Sequence, residues 1–112
     1  MTRIFLSRPL VLEALRTEPD GSGGYAERWQ ALGTLWAEVT AGTGRDAPVE
    51  EFTRALVSYR ITVRGAPVGA GQRPRPEQRF RDGTRLFRIL AVTERDAAGR
   101  YLLCFAREEG TT

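Results

Sequence analysis

Leu56 to Arg64 alternates along almost its whole length. Val57, Tyr59, Ile61 and Val63 fall on one face, and Ser58, Arg60, Thr62 and Arg64 on the other. A period of two belongs to an extended chain, whose successive side chains point to opposite faces. The first four residues therefore share the expected interior face. Arg85 to Thr93 repeats the pattern, setting Leu86, Arg88, Leu90 and Val92 against Phe87, Ile89 and Ala91. Leu10–Arg16, Arg79–Arg81 and Tyr101–Ala106 read as shorter strands. Tyr25 to Ala41 carries two signals. Trp29, Leu32, Leu35, Trp36 and Val39 follow a helical spacing, but Gly33 interrupts it and Trp36 to Thr40 alternates. The expectation is a strand centred on Leu35–Thr40, entered through a less regular segment around Trp29. Pro48 to Ala55 fits one helical turn or a strand.

The breaks between these runs carry turn chemistry. Glu18 to Gly24 stops the first strand, Gly42-Thr43-Gly44 the second, Asp82-Gly83 marks a tight turn, and Asp96 to Gly99 another. Gly65 to Pro76 holds three Gly and three Pro with almost nothing to bury, which predicts a long loop. Such loops in compact domains are usually functional or disordered. Residues 65–78 are expected to be mobile in a free subunit and ordered by a partner. Arg107 to Thr112 reads as a polar tail. Five or six short strands without a long helix predict an all-β fold, a small antiparallel β-barrel with one long Gly/Pro-rich loop. The pattern does not separate an OB-like from an SH3-like arrangement. At 112 residues, one domain spanning 1–112 is expected.

Composition removes much chemistry. The chain has no His, one Cys (Cys104) and no Lys, all 17 basic residues being Arg. Disulfide scaffolds, CxxC zinc sites, His acid–base catalysis, Schiff bases and P-loops are excluded within one chain. The paired acids Glu50-Glu51 and Glu108-Glu109 are adjacent, so on a strand they point apart and make poor dyads. No enzymatic activity, metal or cofactor is expected. No run approaches the roughly 18 apolar residues of a membrane span, and the N-terminus does not read as a secretory signal. Cys104, between Leu103 and Phe105, reads as an inert buried thiol. Trp29 and Trp36 read as core or interface packing, with base stacking on single-stranded nucleic acid as the alternative.

Charge is unevenly spread. Residues 1–56 carry six Arg and eight acids, whereas residues 57–112 carry eleven Arg and six acids. Eight of those Arg lie in 60–88, against Glu77 and Asp82. An Arg-only basic set follows either from a GC-rich genome or from the suitability of the guanidinium fork for interfaces. A chain with one acidic and one basic half can stack head to tail or face a polyanion.

Taken in order, these elements resemble the head–tail joining (head-closure or stopper) family of tailed bacteriophages, which includes phage-derived gene transfer agents. The resemblance runs from about Leu10 to Glu108. It rests on the strand ending Leu15-Arg16, Gly23-Gly24-Tyr25, Trp29 and Trp36-Ala37-Glu38-Val39. It continues through Tyr59 to Arg64, Arg79-Phe80-Arg81-Asp82-Gly83, Phe87 to Val92 and the closing strand. Gly44-Arg45-Asp46 departs from the Gly-Glu expected there. The resemblance implies a virion neck protein assembled in the bacterial cytoplasm, usually as a hexameric ring, that closes the DNA channel after packaging. Its implied partners are further copies of itself, a portal-side adaptor ring, and tail terminator or tail tube proteins. Non-specific contact with packaged double-stranded DNA is a further implication. Arg64, Arg73, Arg75, Glu77, Arg79 and Arg81 then become the expected partner- or lumen-contact residues. The alternative is a monomeric nucleic-acid-binding β-barrel with the 60–88 Arg cluster as its groove.

Overall fold

The computed structural model describes residues 3–42 and 58–109. Its six strands are β1 (Arg8–Pro19), β2 (Tyr25–Ala41), β3 (Ser58–Arg64), β4 (Arg79–Asp82), β5 (Arg85–Glu94) and β6 (Tyr101–Glu109). All neighbours are antiparallel, in the order β1-β2-β3-β6-β5-β4, and β4 returns to β1 so that the sheet closes on itself. The fold is all-β, as the alternation predicts. The readings of Thr43-Gly44, the Gly44-Arg45-Asp46 step, Pro48–Ala55, Leu56, Val57 and residues 110–112 lie outside the described residues.

One side chain in two enters the core. Leu10 and Leu12 of β1, Ala37 of β2, Ile61 and Val63 of β3, Phe80 of β4, Phe87 and Ile89 of β5, and Leu102, Cys104 and Ala106 of β6 form one buried cluster. Tyr59 packs against it half-buried, its ring meeting that of Phe87 edge to face at 5.1 Å. The expected interior face of β3 is thus filled at Tyr59, Ile61 and Val63.

Two irregularities explain where simple alternation fails. The β1–β2 register shifts between Leu12, paired with Gly33, and Glu13, paired with Ala31, leaving Leu32 as an extra residue. Gly33 sits at φ 149°, a conformation that favours glycine. This bulge changes the phase of β2, so its apolar residues mimic a helical spacing although all of Tyr25–Ala41 is strand. A second shift between Ile89 and Ala91 makes Leu90 the extra residue of β5, exposes Ala91 and returns Val92 to the core.

Strand ends also differ from the sequence reading. β1 continues through Glu18 and Pro19, which pair with Ala26 and Tyr25. The turn is thereby confined to Asp20–Gly24, where the Asp20 carboxylate accepts from the Ser22 and Gly24 amides. Arg107–Glu109 is not a free tail but the end of β6, paired with Arg88, Phe87 and Leu86. Residues 65–78 link β3 to β4 without a strand, yet they are folded on themselves. Ala70 N donates to Pro67 O, Arg73 N to Ala70 O and Gln78 N to Arg75 O. In this stretch, expected to have almost nothing to bury, Pro74 is fully buried. At its start Gly65 N donates to Arg100 O at 2.7 Å, so close that a Cβ on residue 65 would collide with the Gly99 carbonyl.

Ile61 is fully buried at the centre of the core. Ile61→Asp would place an unpaired carboxylate there and is expected to destabilise the fold by at least about 4 kcal/mol. Urea denaturation followed by Trp fluorescence measures this, and an unchanged midpoint would contradict the placement of β3.

Candidate interaction surface

Glu13 interrupts the apolar run of β1 because it points away from the core, and the fold nevertheless buries it, at 4% exposure. Glu13 pairs in register with Arg79 of β4, and Arg79 Nε donates to its Oε1 at 2.7 Å. Arg81, two residues on and on the same face, reaches Oε2 at 2.9 Å. One carboxylate thus takes two guanidiniums, the satisfied geometry that a buried charge requires.

Trp29 of β2 lies beside this group. The Arg79 guanidinium carbon stands 3.9 Å from its ring centroid and that of its register partner Arg88 stands 5.2 Å away, so two guanidiniums lie in cation–π contact with the indole. Arg88 in turn reaches Glu77 at 3.5 Å and Glu109 at 3.4 Å. At the other end of β4, Arg8 pairs with Asp82 at 2.6 Å. Arg85 holds Glu108 through two hydrogen bonds of 2.8 and 3.0 Å and also donates to Tyr59 Oη. Those bonds from Arg85 hold the Glu108 carboxyl below the usual range against the opposing effect of burial.

The six expected contact residues are therefore divided. Arg79, on the outer face, is covered there, its side chain 14% exposed and engaged with Glu13; Arg81 shares Glu13 but stays partly open. Arg73 donates to Ala66 O at 2.6 Å and thereby clamps the 65–78 segment. Glu77 is open to solvent at φ 75°, with its amide donating to Ile89 O. Arg75 is exposed, and Arg64 is exposed at the end of β3 against the Tyr101 ring. Arg64 also lines an open groove of about 680 Å³ with Leu6, Leu35, Trp36, Gly65, Ala66 and Gln72. Trp36 stands 57% exposed over it and is not core. Sequence reading missed Glu13, Arg85 and Glu108. The first had a visible signal, a lone charge inside an apolar strand.

Cys104 is buried, and burial pushes its thiol up to about 12 despite the nearby Arg73 charge. The native protein is expected to resist thiol reagents at neutral pH and react once unfolded. Because the folded thiol ionises later than the unfolded one, its contribution to stability is complete below about pH 9 and is lost as pH rises towards 12. A thiol titration in the absence and presence of urea checks the first point. Glu13→Ala would strand Arg79 in a buried site and is expected to destabilise by about 3 kcal/mol. Arg75→Ala should change stability by less than about 0.5 kcal/mol. Parallel denaturation curves test this contrast.

The family model described as phage head completion protein matches residues 1–109. A chain of a solved structure titled "Virion of native gene transfer agent (GTA) particle" is 54% identical, with all of both chains covered and a TM-score of 0.75. The solution structure of protein SF1141 from Shigella flexneri 2a has a TM-score of 0.69 at 22% identity, covering 98% of this chain and 96% of that one, and shares the fold. No curated protein matches. With nearly its full length matched, this chain belongs to the phage head completion protein family.

Proposed function

We propose that this protein is a structural head-completion component of a phage-like particle. In this reading it assembles as a ring at the neck, a hexamer as the family resemblance implies. There it closes the DNA channel after packaging and joins head to tail. The observation that carries the proposal is the 54% identity, over both whole chains, to a component of a gene transfer agent virion. The partners proposed are further copies of the chain, a portal-side adaptor ring, and tail terminator or tail tube proteins.

The chemistry of the surface suits this role. Ion pairs fix a rigid closed sheet, while Arg64 and Arg75 remain exposed and Arg81 partly so. Guanidiniums in such positions can meet carboxylates of a neighbouring ring or phosphates of the packaged duplex. Contact with duplex would be independent of base sequence and would weaken steeply with salt.

Deleting the gene is expected to yield heads that package DNA and leak it, beside separately formed tails, in electron micrographs. Complete, infectious or transfer-competent particles from the deletion would refute the proposal. Arg64→Glu with Arg75→Glu should impair neck assembly or DNA retention while the isolated subunit melts as wild type. If those particles join tails and keep DNA normally, the ring role survives without these two residues.

A further inference from the structure

Two surfaces of this chain lack a partner within it, and they fit each other. The first is the outer part of the β1–β2 hairpin. β4 pairs with β1 only over Val11–Glu13, and β3 pairs with β2 only over Ala37–Ala41. Beyond those points Ala14–Pro19 and Tyr25–Gln30 pair with each other alone, as a ribbon with two free edges. Opposed residues share a face, so Leu15 with Trp29, Thr17 with Glu27 and Pro19 with Tyr25 form one side. The other side holds Arg16 bonded to Gln30 and Arg28 paired with Glu18. The ribbon is therefore amphipathic. Its apolar side exposes Leu15 at 40% and Tyr25 at 73%, and its carboxylate Glu27 has no ion pair among the described residues.

The second surface is the outer face of β3 and β6. The register sets Arg60 against Phe105, Thr62 against Leu103, Arg64 against Tyr101 and Ser58 against Arg107. Arg60 and Arg64 lie 6.0 and 5.8 Å from the rings of Phe105 and Tyr101. Neither these two nor Arg107 forms an ion pair among the described residues. Glu38, opposite Thr62 on β2, is already engaged by the Phe5 amide. Phe105 is exposed and Tyr101 half-buried, while Thr62 between them is buried and accepts from Arg95. Arg beside such rings is the composition of a protein interface core. What this face lacks is a carboxylate.

We propose that the apolar side of the hairpin arm of one copy docks on the β3–β6 face of a second copy, bringing Glu27 to Arg60 and Arg64. Dimensions agree. Six paired residues span about 20 Å and seven about 23 Å at the rise of an extended strand. Arm and face are separate surfaces of one copy. β2 adjoins β3 in the closed sheet, but only through Ala37–Ala41, whereas the arm uses Tyr25–Gln30 of β2. Each copy then offers one arm and one face, the heterologous arrangement that generates rings. The inference rests on the proposed ring and names the surfaces that would build it.

Mixing two defective full-length chains tests it. The arm variant is Tyr25→Ser with Glu27→Arg, and the face variant is Arg60→Glu with Arg64→Glu. Sedimentation at low ionic strength and high protein concentration should show wild-type assemblies larger than a monomer, with each variant monomeric. The equal mixture should give a dimer and nothing larger, since only one intact arm and one intact face remain. Circular dichroism checks folding, and Phe105→Ser or Arg107→Glu replaces a face variant that fails to fold. A monomeric wild type, or a mixture that stays monomeric, overturns the proposal. Variants that assemble like wild type also overturn it, while the ring reading survives on other surfaces. If the face variant self-assembles normally but loses binding to a fluorescein-labelled DNA duplex, the face belongs to nucleic acid and the proposal fails.

Discussion

The whole arrangement depends on a four-residue strand. β4 carries the hydrogen bonds that close the sheet, pairing with β5 on one edge and with β1 on the other. Four residues bring few ladder bonds, so side chains must hold the seam. Arg79, Phe80, Arg81 and Asp82 do this by alternation. Phe80 points into the core among Leu12 and Phe87, its register partners. Arg79 and Arg81 point outward and converge on Glu13 of β1, and Asp82 takes Arg8 of the same strand. The seam is thus apolar at Phe80, with the Glu13 ion pairs on the outer face and the Arg8–Asp82 pair at its end. Replacing the ion pairs by unpaired charge would be far more damaging than never having had them, because the penalty is the desolvation of the group left behind.

The same shortness has a structural consequence. β1 and β2 are longer than anything available to pair with them, so the sheet closes around only one end of the hairpin. A two-stranded ribbon is marginal in water when it stands alone. Here it is braced at its base by Trp29, against which Arg79 and Arg88 lie, and by the ion pair of Arg28 with Glu18. Trp29 therefore transmits the order of the seam to the arm. A change at Glu13 would loosen Arg79, and through it the stacking that sets the arm.

Much of this was legible in the residues. The period of two in β3 placed Ile61 and Val63 inside, as found, and Cys104 is the buried thiol that its apolar neighbours suggest. Turn chemistry located Asp82-Gly83 and Asp96–Gly99, and placed the first turn at Glu18–Gly24, two residues earlier than the Asp20 at which it starts. The two bulges were not legible, because an extra residue is a property of a pair of strands, and each strand by itself shows only a broken rhythm. The contact residues were harder still. A run of Arg announces charge without direction, and whether a guanidinium faces solvent depends on a carboxylate far away in sequence. Arg79 finds one in Glu13, 66 residues earlier, whereas Arg75 forms no ion pair among the described residues.

Exclusive use of Arg also has a physical reading in this fold, whatever the base composition of the genome that encodes it. Guanidiniums lie against Trp29, Tyr59, Phe87, Tyr101 and Phe105, in each case a ring on the same strand pair or its neighbour. A planar, weakly hydrated cation can stack on such a ring and keep its edge N–H groups for a carboxylate, as Arg79 does with Trp29 and Glu13 and as Arg85 does with Phe87 and Glu108. An ammonium is a hydrated point charge and cannot do both at once. Where both functions are used inside the subunit, the guanidinium welds strands together. At Arg60 and Arg64 the ring is present and the carboxylate is missing, so the same chemical unit is left half-complete on the surface. A neighbour that supplies a carboxylate completes it without any rearrangement of the face.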